Sequence, residues 1–250
     1  MKKDEIKMKK KTNISHSSIN IRNNTPNISH FSNEKDTAKY FESRFDDKPE
    51  RELVWKHLSN FIQKWVPKNS TVLDLGAGYG GFINNIKAKK KYANDINKNI
   101  SKYVDKDVIS HVGSCDNLSD FKSESVDVVF ASNLFEHLEK PVFYKTLREV
   151  RRILKKNGVL IILQPNFKYC YKEFYDDYTH VLPMTHLSMM DVLKLEDYKI
   201  EKCIPRLVPF SMKGTLPKIP GLDKLYFLLP LYLRFPIRPY AGAFFIVAKK

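Results

Sequence analysis

Apolar residues follow two different spacings along the chain. Val54, Leu58 and Ile62 lie on one helical face, and Pro67 follows them, which predicts an amphipathic helix that ends before the proline. Shorter apolar runs come next. One of them, Val126–Ser132, is almost wholly apolar, as a strand buried on both faces should be.

Five such runs are predicted to be strands that alternate with helices. They are Thr71–Gly76, Lys91–Ile96, Val108–Gly113, Val126–Ser132 and Val159–Leu163. Between them, Phe82–Ile86 is predicted to begin a helix, and another opens at Pro141 and ends at Asn157-Gly158. The sequence further predicts a helix near His186–Glu196 and strands near Tyr198–Cys203 and at Ala243–Ala248. This alternation favours a parallel sheet, with a ligand crevice at the carboxyl ends of its strands.

The two ends of this pattern differ from its centre. Residues 1–35 have no apolar periodicity and are predicted to be a disordered basic tail before a folded domain over 36–250. Residues 205–240 are rich in proline and apolar residues and are predicted to be an inserted substrate cap. Within them, 224–234 is too short to span a bilayer, so a cap, a dimer contact or a peripheral membrane contact stays open.

Charge and cysteines limit the setting of the protein. The chain has 250 residues and a formal net charge of +15, which attracts anions, although many lysines can simply be solvated surface. Its three cysteines fit neither a metal-ligand spacing nor a closed disulfide framework. We therefore expect a reduced, cytoplasmic protein without a metal site. The amino-terminal region lacks the apolar segment of a secretory signal.

The chemistry is concentrated where the first strand ends. Val72–Phe82 runs from an apolar strand through Asp74 into a glycine-rich turn, and glycines allow a ligand to approach the main chain closely. Gly76, Gly78 and Gly81 also fit the dinucleotide pattern Gly-x-Gly-x-x-Gly, which is weak alone. A carboxylate at Asp74 would repel a pyrophosphate and suits a cofactor with a cationic end.

Four ordered segments resemble class I S-adenosylmethionine-dependent methyltransferases. The positions Asp74, Gly76, Gly78 and Gly80 fill the family's acid-x-Gly-x-Gly-x-Gly motif, and Asp95 ends the second strand as the ribose ligand does. Val126–Leu138 looks like the fourth-strand motif of small-molecule methyltransferases, and Leu147–Gly158 is similar to the helix before strand five. The resemblance covers roughly 37–166.

The resemblance implies a doubly wound, seven-stranded Rossmann-like α/β sheet whose last strand is antiparallel, with S-adenosylmethionine as cofactor. The residues expected beside the cofactor are Asp74, Gly76, Gly78, Gly80, Asp95, Ile96, Ser114, Cys115, Asp116 and Asn133. One departure concerns the family's Gly-Asp-Ala after strand three, where this chain has Gly113-Ser114-Cys115-Asp116. Either Ser114 or Asp116 could then reach the adenine.

Two histidines are candidate general bases for a hydroxyl acceptor. His137 follows the fourth strand, and His180 lies in a segment similar to the Asp-x-Thr-His stretch of methyltransferases encoded with surface-polysaccharide enzymes. Asp177 could orient His180. A lead-in that contains Tyr40, Arg44 and Phe45 could cover the cofactor, as it often does in related enzymes.

These features predict methyl transfer to an oxygen, or less readily a nitrogen, of a small molecule, sugar or lipid-linked glycan. RNA methylation is a weaker alternative, because Ser132-Asn133-Leu134-Phe135 stands where base-amino methyltransferases have Asn/Asp-Pro-Pro-Tyr/Phe, and Pro165 is not followed by cysteine. The sequence also leaves open a cofactor-binding or membrane-docking protein without catalysis, and an NAD-dependent dehydrogenase. It does not predict the oligomeric state.

Overall fold

The computed structural model describes residues 49–209 and 241–250. Its strands are β1 (Thr71–Leu75), β2 (Lys90–Asp95), β3 (Val108–Val112), β4 (Val126–Ser132), β5 (Leu154–Pro165), β6 (Lys199–Pro209) and β7 (Ala241–Lys249). Its helices are α1 (Pro49–Ile62), α2 (Lys140–Ile153), α3 (Phe167–Cys170) and α4 (His186–Leu195). Short 3-10 turns lie at Gln63–Trp65, Ile100–Lys102, Phe135–His137 and Phe174–Asp176. The predicted tail, the lead-in before α1 and positions 210–240 of the predicted cap lie outside the described residues.

The seven strands form one sheet in the order β3-β2-β1-β4-β5-β7-β6. Neighbours from β3 to β5 are parallel, whereas β7 runs antiparallel to both β5 and β6. The chain winds outward in one direction through β2 and β3 and in the other through β4 and β5. A crevice therefore opens at the carboxyl ends of β1 and β4, where the winding reverses. The predicted doubly wound sheet with an antiparallel last strand is confirmed.

Alternation along the strands fills two hydrophobic layers. On β1, Val72 faces one layer while Leu73 and Leu75 face the other, as the two-residue period requires. The Val72 layer receives the apolar face of α1, and the Leu73 layer receives α2 and α4. The phenolic hydroxyl of Tyr198 donates to the Leu147 carbonyl at 2.9 Å and ties the segment after α4 to α2. Among the described helices, none is long and apolar enough to cross a bilayer.

The prediction that a helix begins at Phe82–Ile86 is wrong. The segment forms overlapping turns, in which Asn84 N–H donates to the Gly80 carbonyl at 3.0 Å and Ile86 N–H to the Phe82 carbonyl at 3.1 Å. The chain then reaches β2 without a regular helix. Both asparagine side chains bind main-chain carbonyls instead, since Asn84 donates to Tyr103 and Asn85 to Gly81. Such bonds compete with helix continuation.

Two other boundaries differ from the sequence prediction. Helix α2 ends at Ile153, and Leu154 already pairs with Val126 in the sheet, so Asn157-Gly158 lies inside β5. Asn157 adopts a left-handed φ of 67° within the stretch where the β4–β5 register shifts, which is the geometry of a bulge. At the other end of the sheet, 205–209 continue β6 rather than the predicted insertion.

Candidate functional site

Left-handed backbone marks the glycines of the β1 turn. Gly76, Gly78 and Gly80 have φ values of 72°, 54° and 71°, a region that strains any residue with a side chain. Gly81 does not share it. A Cβ on Gly81 would lie 2.6 Å from the Trp55 ring, so this glycine serves packing. The turn therefore follows the acid-x-Gly-x-Gly-x-Gly spacing rather than the dinucleotide spacing.

The same turn is anchored on β2 and open above its centre. The N–H groups of Gly76 and Ala77 donate to the Asn94 carbonyl at 2.9 and 3.1 Å, and Gly78 N–H donates to Asp95 Oδ2 at 2.8 Å. A Cβ on Gly78 would meet no heavy atom of the described residues within 4 Å. A ligand can therefore lie directly against the main chain at this point.

Asp74 lies at the carboxyl end of β1 and is 3% exposed. Burial raises the pKa of Asp74 to about 8, the Asp95 carboxylate adds to the rise, and the Ile83 N–H opposes it. A positively charged ligand group would offset this cost by stabilising the ionised carboxylate. The electrostatics of the turn thus favour a ligand with a cationic end.

Asp95 ends β2 beside the turn. Its Oδ1 accepts the Asn97 N–H at 2.8 Å while its Oδ2 holds Gly78. Burial raises the pKa of Asp95, although the N–H groups of Asn97 and Gly78 oppose the rise. The neighbouring Ile96 is 40% exposed. A carboxylate with an apolar neighbour at this strand end suits a ribose and the base attached to it.

At the end of β3, the two proposed adenine contacts act as a pair. Ser114 Oγ donates to Asp116 Oδ1 at 2.5 Å, and Lys145 on α2 donates to Asp116 Oδ2 at 2.9 Å. Cys115 turns its thiol into the core, where its sulfur lies 3.4 Å from the Thr146 hydroxyl oxygen. Only the main chain of Cys115 is thereby available to a cofactor, and Ser114 is more exposed than Asp116.

The loop after β4 connects the glycine turn to the histidines. Asn133 has a left-handed φ of 48° and reverses the chain, so that a Cβ on Gly76 would lie 3.0 Å from Leu134 Cδ1. The Leu134 carbonyl in turn accepts the His137 N–H at 3.1 Å. Leu134 therefore connects the glycine-rich turn after β1 to His137, the first candidate base.

His137 belongs to a hydrogen-bonded chain that begins at a carboxylate. Thr179 Oγ1 donates to Asp177 Oδ1 at 2.6 Å and lies 2.9 Å from His137 Nδ1. Since the single hydroxyl proton goes to the carboxylate, His137 Nδ1 must be the donor in the second bond. Burial acts in the opposite direction, but hydrogen bonds from Thr179 hold the pKa of Asp177 below its usual range.

His180 lies opposite His137, with ring centroids 4.7 Å apart. Its Nδ1 is 2.6 Å from the Phe174 carbonyl, which can only accept, so Nδ1 carries a proton. The sequence assigned Asp177 to orient His180. The structure gives a looser contact of 3.8 Å between His180 Nε2 and Asp177 Oδ2, and the short contacts of Asp177 reach His137 through Thr179.

Glu136 was not among the site residues predicted from the sequence, although it lies shortly after the apolar strand β4 and directly before His137. It is 1% exposed, and within the described part of the chain neither carboxyl oxygen has a hydrogen-bond partner. Burial raises the pKa of Glu136 to about 8, the backbone N–H of Glu136 itself opposes the rise, and Asp177 adds to it. One carboxyl oxygen of Glu136 and one nitrogen each of His137 and His180 lie within 4.8 Å of one another.

Two further polar side chains stand at the same edge of the sheet. Ser132 Oγ ends β4, and both amide atoms of Gln164 lie near the end of β5; these atoms are buried and have no hydrogen-bond partner among residues 49–209 and 241–250. Unsatisfied buried polar atoms are rare in proteins. Their concentration here indicates a site for a polar ligand.

Comparisons with known proteins agree with this geometry. Residues 73–162 match the family model described as a methyltransferase domain. A curated relative, an uncharacterised protein of Methanocaldococcus jannaschii, is 33% identical over 118 residues, which are 46% of this chain and 50% of the relative. The chain spans about half the length of the curated relatives it matches.

Solved structures share the fold. A SAM-dependent methyltransferase from Archaeoglobus fulgidus is 20% identical with a TM-score of 0.60, over 80% of this chain and 94% of that one. A SAM-dependent methyltransferase from Thermotoga maritima, described as a possible histamine N-methyltransferase, is 19% identical with a TM-score of 0.61, over 87% and 96%. These two structures show the fold. The match to the methyltransferase domain model agrees with the predicted S-adenosylmethionine-dependent methyltransferase, and no comparison specifies an acceptor.

Proposed function

We propose that this protein transfers a methyl group from S-adenosylmethionine to a hydroxyl oxygen of a small polar acceptor, such as a sugar or a glycan. The observation that carries the proposal is the junction at Leu134, which packs on Gly76 of the cofactor turn and holds His137 through its carbonyl. Cofactor cradle and candidate base thus share one crevice.

The polar side chains around the glycine-rich turn can each bind a different part of the cofactor. The Asp74 carboxylate would pair with the cationic amino group of the cofactor, Asp95 would accept hydrogen bonds from the ribose hydroxyls, and Ser114 with Asp116 would hold the adenine. The open main chain at Gly78 would let the cofactor approach the turn closely. Binding and orientation are the main tasks of the protein, because the sulfonium already activates its methyl group.

The transfer is a single displacement. A lone pair of the acceptor oxygen forms the new C–O bond while the C–S bond breaks and its electrons return to sulfur. The hydroxyl proton passes to a base, for which His137 and His180 are the candidates, and Asp177 positions His137 through Thr179. A hydroxyl-rich acceptor would also satisfy the buried polar atoms of Ser132 and Gln164.

Calorimetric titration with S-adenosylhomocysteine tests the cofactor assignment, with NAD and a short RNA titrated in parallel. We expect S-adenosylhomocysteine alone to bind with one-to-one stoichiometry. Asp74→Asn and Asp95→Ala should each weaken binding at least tenfold, whereas Asp191→Asn, which removes an exposed carboxylate on α4, should not. Binding of NAD instead, or equal affinity in all variants, would refute the proposal. Transfer of a labelled methyl group to nucleotide sugars and glycans then tests the acceptor class.

A further inference from the structure

Glu136 and His137 are adjacent on the 3-10 turn after β4, and the segment that carries His180 is bonded directly to them. The Glu136 carbonyl accepts the N–H groups of Val181 and Leu182 at 2.8 and 3.0 Å. Main-chain hydrogen bonds therefore hold the two segments that carry the three side chains against each other, as a preformed ligand site requires.

The hydrogen bonds of both imidazoles also define their tautomers when neutral. His137 Nδ1 donates towards Thr179 and His180 Nδ1 towards the Phe174 carbonyl, so in each neutral ring Nε2 carries the electron pair. A metal-binding histidine shows this arrangement, in which the second ring N–H is held by a carbonyl, a carboxylate or a polar relay. Asp177 completes such a relay behind His137.

Glu136 supplies the charge. A buried carboxylate without a hydrogen bond is costly, and within the part of the chain that the structure describes the Glu136 oxygens have no partner. A bound dication would remove that cost. One carboxyl oxygen of Glu136 and one nitrogen of each histidine lie within 4.8 Å of one another. Ligands about 2.1 Å from one ion are roughly 3–4 Å apart, so a small inward movement of side chains would close the site.

We propose that Glu136, His137 and His180 bind one divalent transition-metal ion. Two imidazoles and one carboxylate suit first-row ions such as Zn²⁺, Mn²⁺ or Co²⁺, whereas Mg²⁺ prefers oxygen ligands. The site has three protein ligands and so leaves at least one coordination position for another group. Residue spacing alone gave no indication of it, because the two ligand segments are far apart in the chain.

The role of the ion rests on the proposed function. A dication beside the cofactor turn can bind the acceptor hydroxyl and lower its pKa. In that case, the two histidines act as metal ligands rather than as the base, and the acidified hydroxyl loses its proton to solvent. Thr179 with Asp177 then positions His137. Metal binding itself does not depend on the identity of the acceptor.

The test is a titration of the chelator-treated full chain with Zn²⁺, Mn²⁺ and Mg²⁺, followed by calorimetry and by thermal unfolding. We expect one Zn²⁺ or Mn²⁺ per chain, a rise in Tm on binding, and markedly weaker binding of Mg²⁺. Glu136→Gln and His180→Gln should each weaken Zn²⁺ binding about 100-fold or more, and Thr179→Val should weaken it by about 10–100-fold. His57→Gln, on α1, should bind as wild type does.

Glu136→Gln gives a second readout, because it removes a buried charge. Its metal-free form should be at least as stable as wild type, and added Zn²⁺ should no longer raise its Tm. Absence of binding to wild type, or unchanged binding by both Glu136→Gln and His180→Gln, would overturn the metal site. S-adenosylhomocysteine titrated in the presence of chelator separates the two proposals, since cofactor binding without metal binding refutes only the metal site.

Discussion

The carboxylates of Asp74, Asp95 and Glu136 are buried at the carboxyl ends of the parallel strands, where most buried side chains are apolar. Each has a pKa raised chiefly by burial. Such groups reduce the stability of the ligand-free fold unless a cationic partner offsets them. At the scale of the residue, their position indicates a site whose full stability requires ligands.

Asp74 predicts a pH dependence of cofactor binding. Because its pKa lies near 8 in the free protein, binding of an ammonium group should release a proton at neutral pH. Affinity for S-adenosylhomocysteine should therefore rise between pH 6 and pH 8, by at most about tenfold per pH unit, and level off above. Calorimetry in buffers of different ionisation enthalpy measures the proton directly. A pH-independent affinity in wild type would contradict the assignment, and Asp74→Asn should lose the dependence.

The same pKa affects the stability of the ligand-free protein. An acid whose pKa is raised on folding contributes stability that is complete below its unfolded value of 3.8 and is lost as pH rises through about 8. Urea unfolding between pH 6 and pH 9 should show wild type losing more stability than Asp74→Asn. Equal slopes for the two proteins would show that Asp74 titrates normally.

His137, His180 and Thr179 should affect turnover rather than cofactor affinity. His137→Gln and His180→Gln are each expected to lower kcat about 100-fold, whether the imidazole is a base or a ligand. Thr179→Val, which breaks the relay from Asp177 but keeps the shape, should have a smaller effect on kcat. S-adenosylhomocysteine affinity should stay within about threefold of wild type in all three variants. Full activity in either histidine variant would make that residue structural.

At the scale of elements, the turn after β1 combines two different uses of glycine. Gly78 is left-handed and open above, whereas Gly81 has ordinary backbone and touches Trp55 of α1. Trp55 also meets Phe130 of β4 edge-on, with ring centroids 6.4 Å apart. Gly78 therefore leaves the main chain open to a ligand, whereas Gly81 allows α1 to pack closely against the turn.

Alanine substitution of Gly78 and of Gly81 should affect cofactor affinity and stability differently. Gly81→Ala is expected to lower the free energy of unfolding by about 1–3 kcal/mol, because its Cβ would displace Trp55, with cofactor affinity changed less than threefold. Gly78→Ala should cost about 1–2 kcal/mol from backbone strain and weaken S-adenosylhomocysteine binding more than tenfold. Denaturant unfolding and calorimetry of both variants measure these effects. If Gly81→Ala weakened S-adenosylhomocysteine binding more than Gly78→Ala did, the different roles assigned to these glycines would be refuted.

At the scale of the whole molecule, the net charge of +15 should cause weak association with polyanions. Anisotropy with a labelled short RNA is expected to show binding at about 50 mM salt that falls at least tenfold by about 200 mM. Because the RNA is attracted by charge spread over the protein surface, S-adenosylhomocysteine should not compete with RNA for binding. RNA binding that is tight at 200 mM salt and sequence-specific would favour RNA methylation over a small acceptor.

Local rules allowed much of the fold to be predicted. Val126–Ser132 was bounded correctly, since a strand buried on both faces is apolar throughout. Local rules failed at Phe82–Ile86, where asparagine side chains bonded to carbonyls of Tyr103 and Gly81 replace the helix. They also failed at Ile153, where pairing of Leu154 with β4 ends the helix early. In both cases the deciding partner is outside the segment.

The sequence by itself determined the order of elements, the glycine turn and the carboxylates that end β1 and β2, because each depends on neighbours within a few residues. Only the tertiary structure decided which groups Glu136 and Thr179 lie against. Thr179 and His137 are 42 positions apart, and their contact exists because the chain returns over the carboxyl edge after β5. Hydrogen bonding and charge at that edge depend on distances in space, which local periodicity does not encode.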